Sequence, residues 1–134
     1  MTEFEVRKTP CASCPYRRDV PSGVWAESEY EKLRGYDGSI QEQAEAEAFG
    51  VFNCHQGDGQ VCAGWAGCHD MSNNLAVRLA ARGRNIAPLL EYTTTVPLFS
   101  SGNEAADHGE ADIGHPSEDA MDTADKIARV RELK

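Results

Sequence analysis

Apolar positions change their spacing several times along this 134-residue chain, and each change marks a new element. Between Glu3 and Lys8, Phe4 and Val6 alternate with Glu3, Glu5 and Arg7, the period of a short half-buried strand that Thr9-Pro10 would end. A helix is predicted over Val24 to Arg34, with Tyr30 and Leu33 on one face and Gly35 as its stop. Ser39-Ile40-Gln41-Glu42 has the spacing of a capping box and opens a second helix toward Ala48. Phe49, Val51 and Phe52 then alternate into Cys54, and Gly57-Asp58-Gly59 turns the chain back to Cys62, so Cys54 and Cys62 read as the two arms of a hairpin.

Past Ser72 the period becomes helical. Leu75 and Leu79 fall on one face, Arg78 and Arg82 on another, with Ser72-Asn73-Asn74 as N-cap and Gly83 as stop. Ile86 to Tyr92 adds a short turn, and the β-branched run Thr93 to Val96 reads as a strand. Ser101-Gly102-Asn103-Glu104 repeats the capping-box spacing and starts a helix to about His108. A last helix follows Pro116, with acids early and Lys126, Arg129, Arg131 and Lys134 late, as the helix dipole favours. The expectation is an α+β fold: a small single domain with short strands, a hairpin and three to five short helices around a four-cysteine metal knot. Residues 1–100 would form the metal-binding core and residues 101–134 an acidic helical C-terminal extension packed on it or tethered to it.

Charge narrows the class of partner. The formal charge is −9, and residues 101–134, with nine acids against four bases, carry five of those charges. Such a surface repels nucleic acid and anionic membrane at long range, which leaves another protein as the expected partner. No run of about 18 apolar residues is present and the N-terminus lacks the apolar stretch of a secretory signal, so a cytoplasmic protein is expected. Five cysteines in a reducing compartment point to metal or redox chemistry rather than to a disulfide framework.

The cysteine spacing supplies the chemistry. In Cys11-Ala12-Ser13-Cys14, one backbone turn can aim two sulfurs at the same point, and Cys54 with Cys62 can complete a tetrahedron around Zn²⁺. Neighbours in a strand face opposite ways, so His55 competes with Cys54 and does not join it. His55, Cys68 and His69 are held as reserve ligands. The same four thiolates could carry a [4Fe–4S] cluster instead. Neither a phosphate-binding loop nor a nucleophile elbow is present, and no catalytic residue is assigned. Arg17, Arg18, Trp25, Arg78 and Arg82 are candidates for a contact surface, because Arg and Trp dominate interface hot spots. For Trp25, as for Trp65, a place in the core is the simpler expectation.

Three resemblances bear on these readings. Cys-x-x-Cys-Pro-Tyr-Arg-Arg-Asp-Val-Pro-Ser-Gly-Val-Trp from Cys11, Phe52-x-Cys54-His55-Gln56 and Cys62-Ala63-Gly64-Trp65 resemble a family of small actinobacterial and actinophage proteins catalogued as a domain of unknown function. That resemblance implies the cysteine set 11, 14, 54 and 62, and a phage or actinobacterial origin in which a host factor would be a natural partner. Cys11-x-x-Cys14-Pro15-x-Arg17 with Gly23-Val24-Trp25 is similar to pieces of the WhiB-like iron–sulfur regulators, but Val20 stands where those proteins have a further cysteine. Cys11-x-x-Cys14 with Thr95-Val96-Pro97 is similar to the glutaredoxin arrangement, which implies a thiol–disulfide oxidoreductase using Cys11 and Cys14. The functional expectation is a zinc-binding protein-interaction module, regulatory or concerned with phage takeover of a host. The iron–sulfur regulator and the oxidoreductase are its alternatives.

Overall fold

The computed structural model describes residues 2–53 and 59–132. Among these, helices dominate where a mixed α+β fold was expected. Strands β1 (Thr2–Glu3) and β2 (Arg84–Asn85) pair in parallel, with Thr2 opposite Arg84. The helices are α1 (Glu27–Arg34), α2 (Ile40–Glu45), α3 (Ala63–Cys68), α4 (Leu75–Ala80), α5 (Ala87–Glu91), α6 (Gly102–Glu110) and α7 (Glu118–Glu132). Seven helices exceed the three to five expected.

The predicted strand at Glu3 to Lys8 survives only as an extended segment that borrows partners along its length. Phe4 N–H donates to Asn85 O at 3.4 Å, Val61 N–H to Glu5 O at 2.8 Å and Arg7 N–H to Val61 O at 3.2 Å. Helix α1 begins three residues later than predicted because the Tyr30 hydroxyl accepts from the Val24 and Trp25 N–H groups, at 3.1 and 3.0 Å. Those two residues are thereby held outside the helix. Thr93 to Val96 is not a strand: Val96 N–H turns to Thr94 Oγ1 at 3.1 Å, and β-branching favours a sheet only where a neighbouring strand exists to pair with.

The capping signals fare better. At α2, Ser39 Oγ accepts from Glu42 N–H while the Glu42 carboxylate accepts from Ser39 N–H, both at 3.1 Å. At α6, Ser101 Oγ accepts from Glu104 N–H at 3.0 Å, but the Glu104 carboxylate turns to Ser100 and Arg18. The hairpin is represented by an antiparallel bridge between Asn53 and Val61 and by Cys62 N–H donating to Phe52 O at 2.9 Å. Cys54, His55 and residues 56–58 of its turn lie outside the described residues.

Trp65, Tyr16, Tyr30, Leu33, Val61, Val77 and Leu89 form the centre of the core. Trp25 is buried as well and donates from Nε1 to Ser13 O at 2.8 Å, so it serves the core and not an exposed contact surface. Helix α6 lies against α1 closely enough that a Cβ at Gly109 would run into the Tyr30 ring, and Arg34 on α1 ion-pairs with Glu110 and Asp107 on α6.

Candidate metal centre

The amino-terminal cysteine pair sits on two successive turns. Cys14 N–H donates to Cys11 O at 2.9 Å and Arg17 N–H to Cys14 O at 3.0 Å. The turn is anchored from outside by Arg17, whose guanidinium donates to Pro10 O at 3.1 Å while gripping the Asp19 carboxylate with two nitrogens at 2.8 and 2.7 Å. Arg18 donates to Leu98 O and pairs with Glu104. Both arginines, read from sequence as contact candidates, therefore brace the cysteine loop.

Cys62 arrives at the start of helix α3, an element the sequence did not announce. Cys62 is its N-cap residue, and the Cys14 and Cys62 sulfurs stand 3.9 Å apart. Cys14 is 0% exposed, Cys62 5% and Cys11 7%, and all three are free thiols. For four thiolates around one ion at a Zn–S distance of about 2.3 Å, tetrahedral geometry sets neighbouring sulfurs roughly 3.8 Å apart. The observed separation is that of one tetrahedron edge. Gly64 makes room for it, since a Cβ there would run into Cys14 Sγ and come within 2.9 Å of Tyr16 Cβ.

The Cys11 thiol draws the Cys14 pKa down, but contact with Cys62, burial and the charge of Cys62 together push it well above the ordinary thiol value. Negative charge in this sulfur-lined interior is costly without a cation, and a bound divalent ion reverses that balance by holding thiols as thiolates. Among the described residues, no group of three or more His, Cys, Asp or Glu side chains closes around a single point. The structure thus brings Cys14 and Cys62 together, with Cys11 beside Cys14. Cys54 and its competitor His55 lie outside the described residues.

The other reserve ligands, His69 and Cys68, lie in the neighbourhood of Asp37. His69 Nε2 faces the Tyr16 hydroxyl at 3.1 Å and Nδ1 lies 3.6 Å from Asp37 Oδ1, so both ring nitrogens are engaged. Burial holds its pKa down at about 4, against a smaller opposing pull from Asp37. Cys68, at the far end of α3, has its pKa raised to about 12, chiefly by burial and then by the charge of Asp37. Asp37 in turn accepts from the first N–H groups of α6, Gly102 at 2.8 Å and Asn103 at 2.7 Å. No local sequence signal marks this Tyr16–His69–Asp37 chain, whose members are 53 and 32 residues apart when counted from His69 to Tyr16 and from Asp37 to His69.

The profile of a family of unknown function, DUF6283, matches residues 6–131. The chain belongs to DUF6283. The match to this DUF6283 profile takes in the cysteine loop, Cys54 and Cys62, helix α6 and all but the last residue of α7. No curated protein and no solved structure matches the chain. Among the described residues no helix is long and apolar enough to cross a membrane.

Proposed function

We propose that this DUF6283 chain is a zinc protein whose metal is structural, held by Cys11, Cys14, Cys54 and Cys62, and that the fold so stapled acts in the cytoplasm as a protein-interaction module. The observation that carries the reading is the 3.9 Å separation of two buried, unbridged sulfurs from segments 48 residues apart. Cys54 enters by sequence alone, one peptide bond after Asn53, whose backbone is bridged to Val61 beside Cys62. A closed thiolate site of this kind contributes folding free energy outright, on the order of 10 kcal/mol in small zinc domains.

The sulfur spacing favours a single ion over the iron–sulfur alternative, because a cubane cluster seats its thiolates on separate irons and spreads them much farther apart. The oxidoreductase alternative gains one observation. Residues 97–99 lie alongside residues 16–18, just after the cysteine pair, with Arg18 N–H donating to Pro97 O and Phe99 N–H to Tyr16 O. Against it, a dithiol that attacks disulfides needs an accessible thiol of lowered pKa, and Cys14 is sealed from solvent with its pKa raised. No helix follows the pair until Glu27.

Metal analysis of untagged protein tests the reading. One zinc per chain, lost with each of C11S, C14S, C54S and C62S and kept in C68S, is the expected result. A brown protein containing iron and sulfide, or metal-free protein that folds fully, would overturn it.

A further inference from the structure

We propose that the exposed arginine turn at the end of α4 is a docking surface for an acidic segment of a partner protein that also carries leucine or phenylalanine. This rests on the interaction half of the reading above and is independent of the metal.

The charge distribution singles the turn out. Residues 71–90 contain three arginines, Arg78, Arg82 and Arg84, and no Asp or Glu. The stretch is thus +3 in a chain of −9, and the remainder is −12. Elsewhere Arg17, Arg18, Lys32 and Arg34 each hold a carboxylate within 4.0 Å. Among the described residues, Arg78, Arg82 and Arg84 form no ion pair. An acid-rich chain that leaves this turn without a direct ion pair presents a local positive site for an outside carboxylate.

Two of the three guanidinium groups are held in place without being neutralised. Arg78 donates to Ser72 O and Asn73 Oδ1, both at 3.2 Å, and the Arg84 guanidinium lies over the Phe4 ring with its carbon 3.6 Å from the ring centre. Asp70, whose pKa is lowered by its own hydrogen bonds and then by the charge of Arg78, is committed to Ser72 N–H, the Ser72 hydroxyl and Asn73 Nδ2. Immobilised guanidinium groups lose little side-chain entropy on binding a carboxylate and still offer free N–H donors. Arg82 lies four residues beyond Arg78, just past the end of α4, and Leu79, 37% exposed, is the residue next to Arg78. Leu79 gives the patch an apolar contact that a bare polyanion would not use.

A nucleic acid fits less well. Its long line of phosphates would run into the −12 field of the remaining surface, whereas a short peptide confines its charge to the patch. Residues 78–85 also offer no aromatic ring on which a base could stack.

The test titrates full-length protein with three labelled probes: a short peptide of glutamates with leucine and phenylalanine, polyglutamate of the same length, and a short DNA duplex. The peptide is expected to bind saturably and more tightly than either other probe. R78E and R82E should each weaken it about tenfold, R82Q less, and K126E on α7 should leave it unchanged. Absence of saturable peptide binding, equal binding by R78E and R82E, or equal or tighter binding of polyglutamate or duplex would each overturn the proposal. Zinc content measured on the same samples reports the metal reading separately, so the two cannot fail together unnoticed.

Discussion

Replacing Gly64 by alanine adds one methyl group, and two opposing effects predict different outcomes. Within a helix, alanine is favoured over glycine by up to about 1 kcal/mol, so local propensity alone predicts a more stable protein. The packing predicts the reverse. The new Cβ would overlap Cys14 Sγ and approach Tyr16 Cβ to 2.9 Å and Tyr16 Cδ2 to 3.3 Å. Neither neighbour can withdraw, since both residues are fully buried, Cys14 faces Cys62, and the Tyr16 hydroxyl is tied to His69. Overfilling such a site costs about 1–3 kcal/mol from strain alone. Displacing Cys14 Sγ from its ion would add the loss of metal affinity. Gly67, on the same helix, supplies the control. There a Cβ meets the tip of Leu98 at 2.8 Å and Thr94 Cγ2 at 3.3 Å, and the leucine tip can rotate away. Urea unfolding together with zinc counted per chain should show G64A destabilised by about 2 kcal/mol or more and short of metal, with G67A within about 1 kcal/mol of the parent and fully loaded. A G64A protein as stable as its parent and equally metallated would refute both the packing argument and the coordination argument.

Three further outcomes follow from the same geometry. Chelation at neutral pH should lower the unfolding midpoint of the parent protein steeply, by several kcal/mol of stability, and should leave already metal-free C62S unmoved; calorimetry with and without chelator checks this. His69 is held neutral with a pKa of about 4, while in the unfolded chain it takes up a proton near pH 6.5, so stability should fall as pH drops through that interval and level off below it. The His69 share is about 3 kcal/mol, and it appears as the difference in pH slope between the parent and H69Q, because acid release of metal affects both proteins. D37A removes the acceptor for the Gly102 and Asn103 N–H groups and should cost about 1–2 kcal/mol, with hydrogen exchange accelerated in the first turn of α6; unchanged exchange there would show that Ser101 caps the helix unaided.

What the sequence disclosed was local chemistry. Ser39 with Glu42, Asn74 with Val77, and Ser101 with Glu104 are caps whose donor and acceptor lie three residues apart; the box at Ser39 forms whole, the one at Ser101 forms only its serine half, and of the Ser72–Asn74 run it is Asn74 that caps α4. The Cys11–Cys14 turn was legible for the same reason, whereas the approach of Cys62, 48 residues further on, was expected from thiolate chemistry and not from a local signal. Helix α3 was not. Gly64 and Gly67 make Ala63–Cys68 a poor helix by propensity, yet the close approach of Cys14, Tyr16 and Leu98 explains why glycine stands at both places. Burial of Trp65 against Tyr36 then supplies the tertiary support that propensity does not. The strand expected at Thr93 to Val96 failed in the opposite way, its residues suiting a sheet that the fold does not provide.

The least legible feature also links the cysteine loop near the N-terminus to helix α6. Tyr16 lies two residues beyond Cys14, and its hydroxyl meets His69. The other nitrogen of His69 approaches Asp37, whose carboxylate caps α6. From the opposite side Arg18 joins the cysteine loop to Glu104 on α6, and Ser22 Oγ donates to Gly109 O while accepting from Asp112 N–H. Helix α6 is thus held at its first turn and at its end by the segment that begins with the cysteine pair. An ion fixing Cys11 and Cys14 would immobilise Tyr16, Arg18 and Ser22 together, so its stabilisation would extend along α6 and into α1, on which α6 packs, and not stop at the sulfurs.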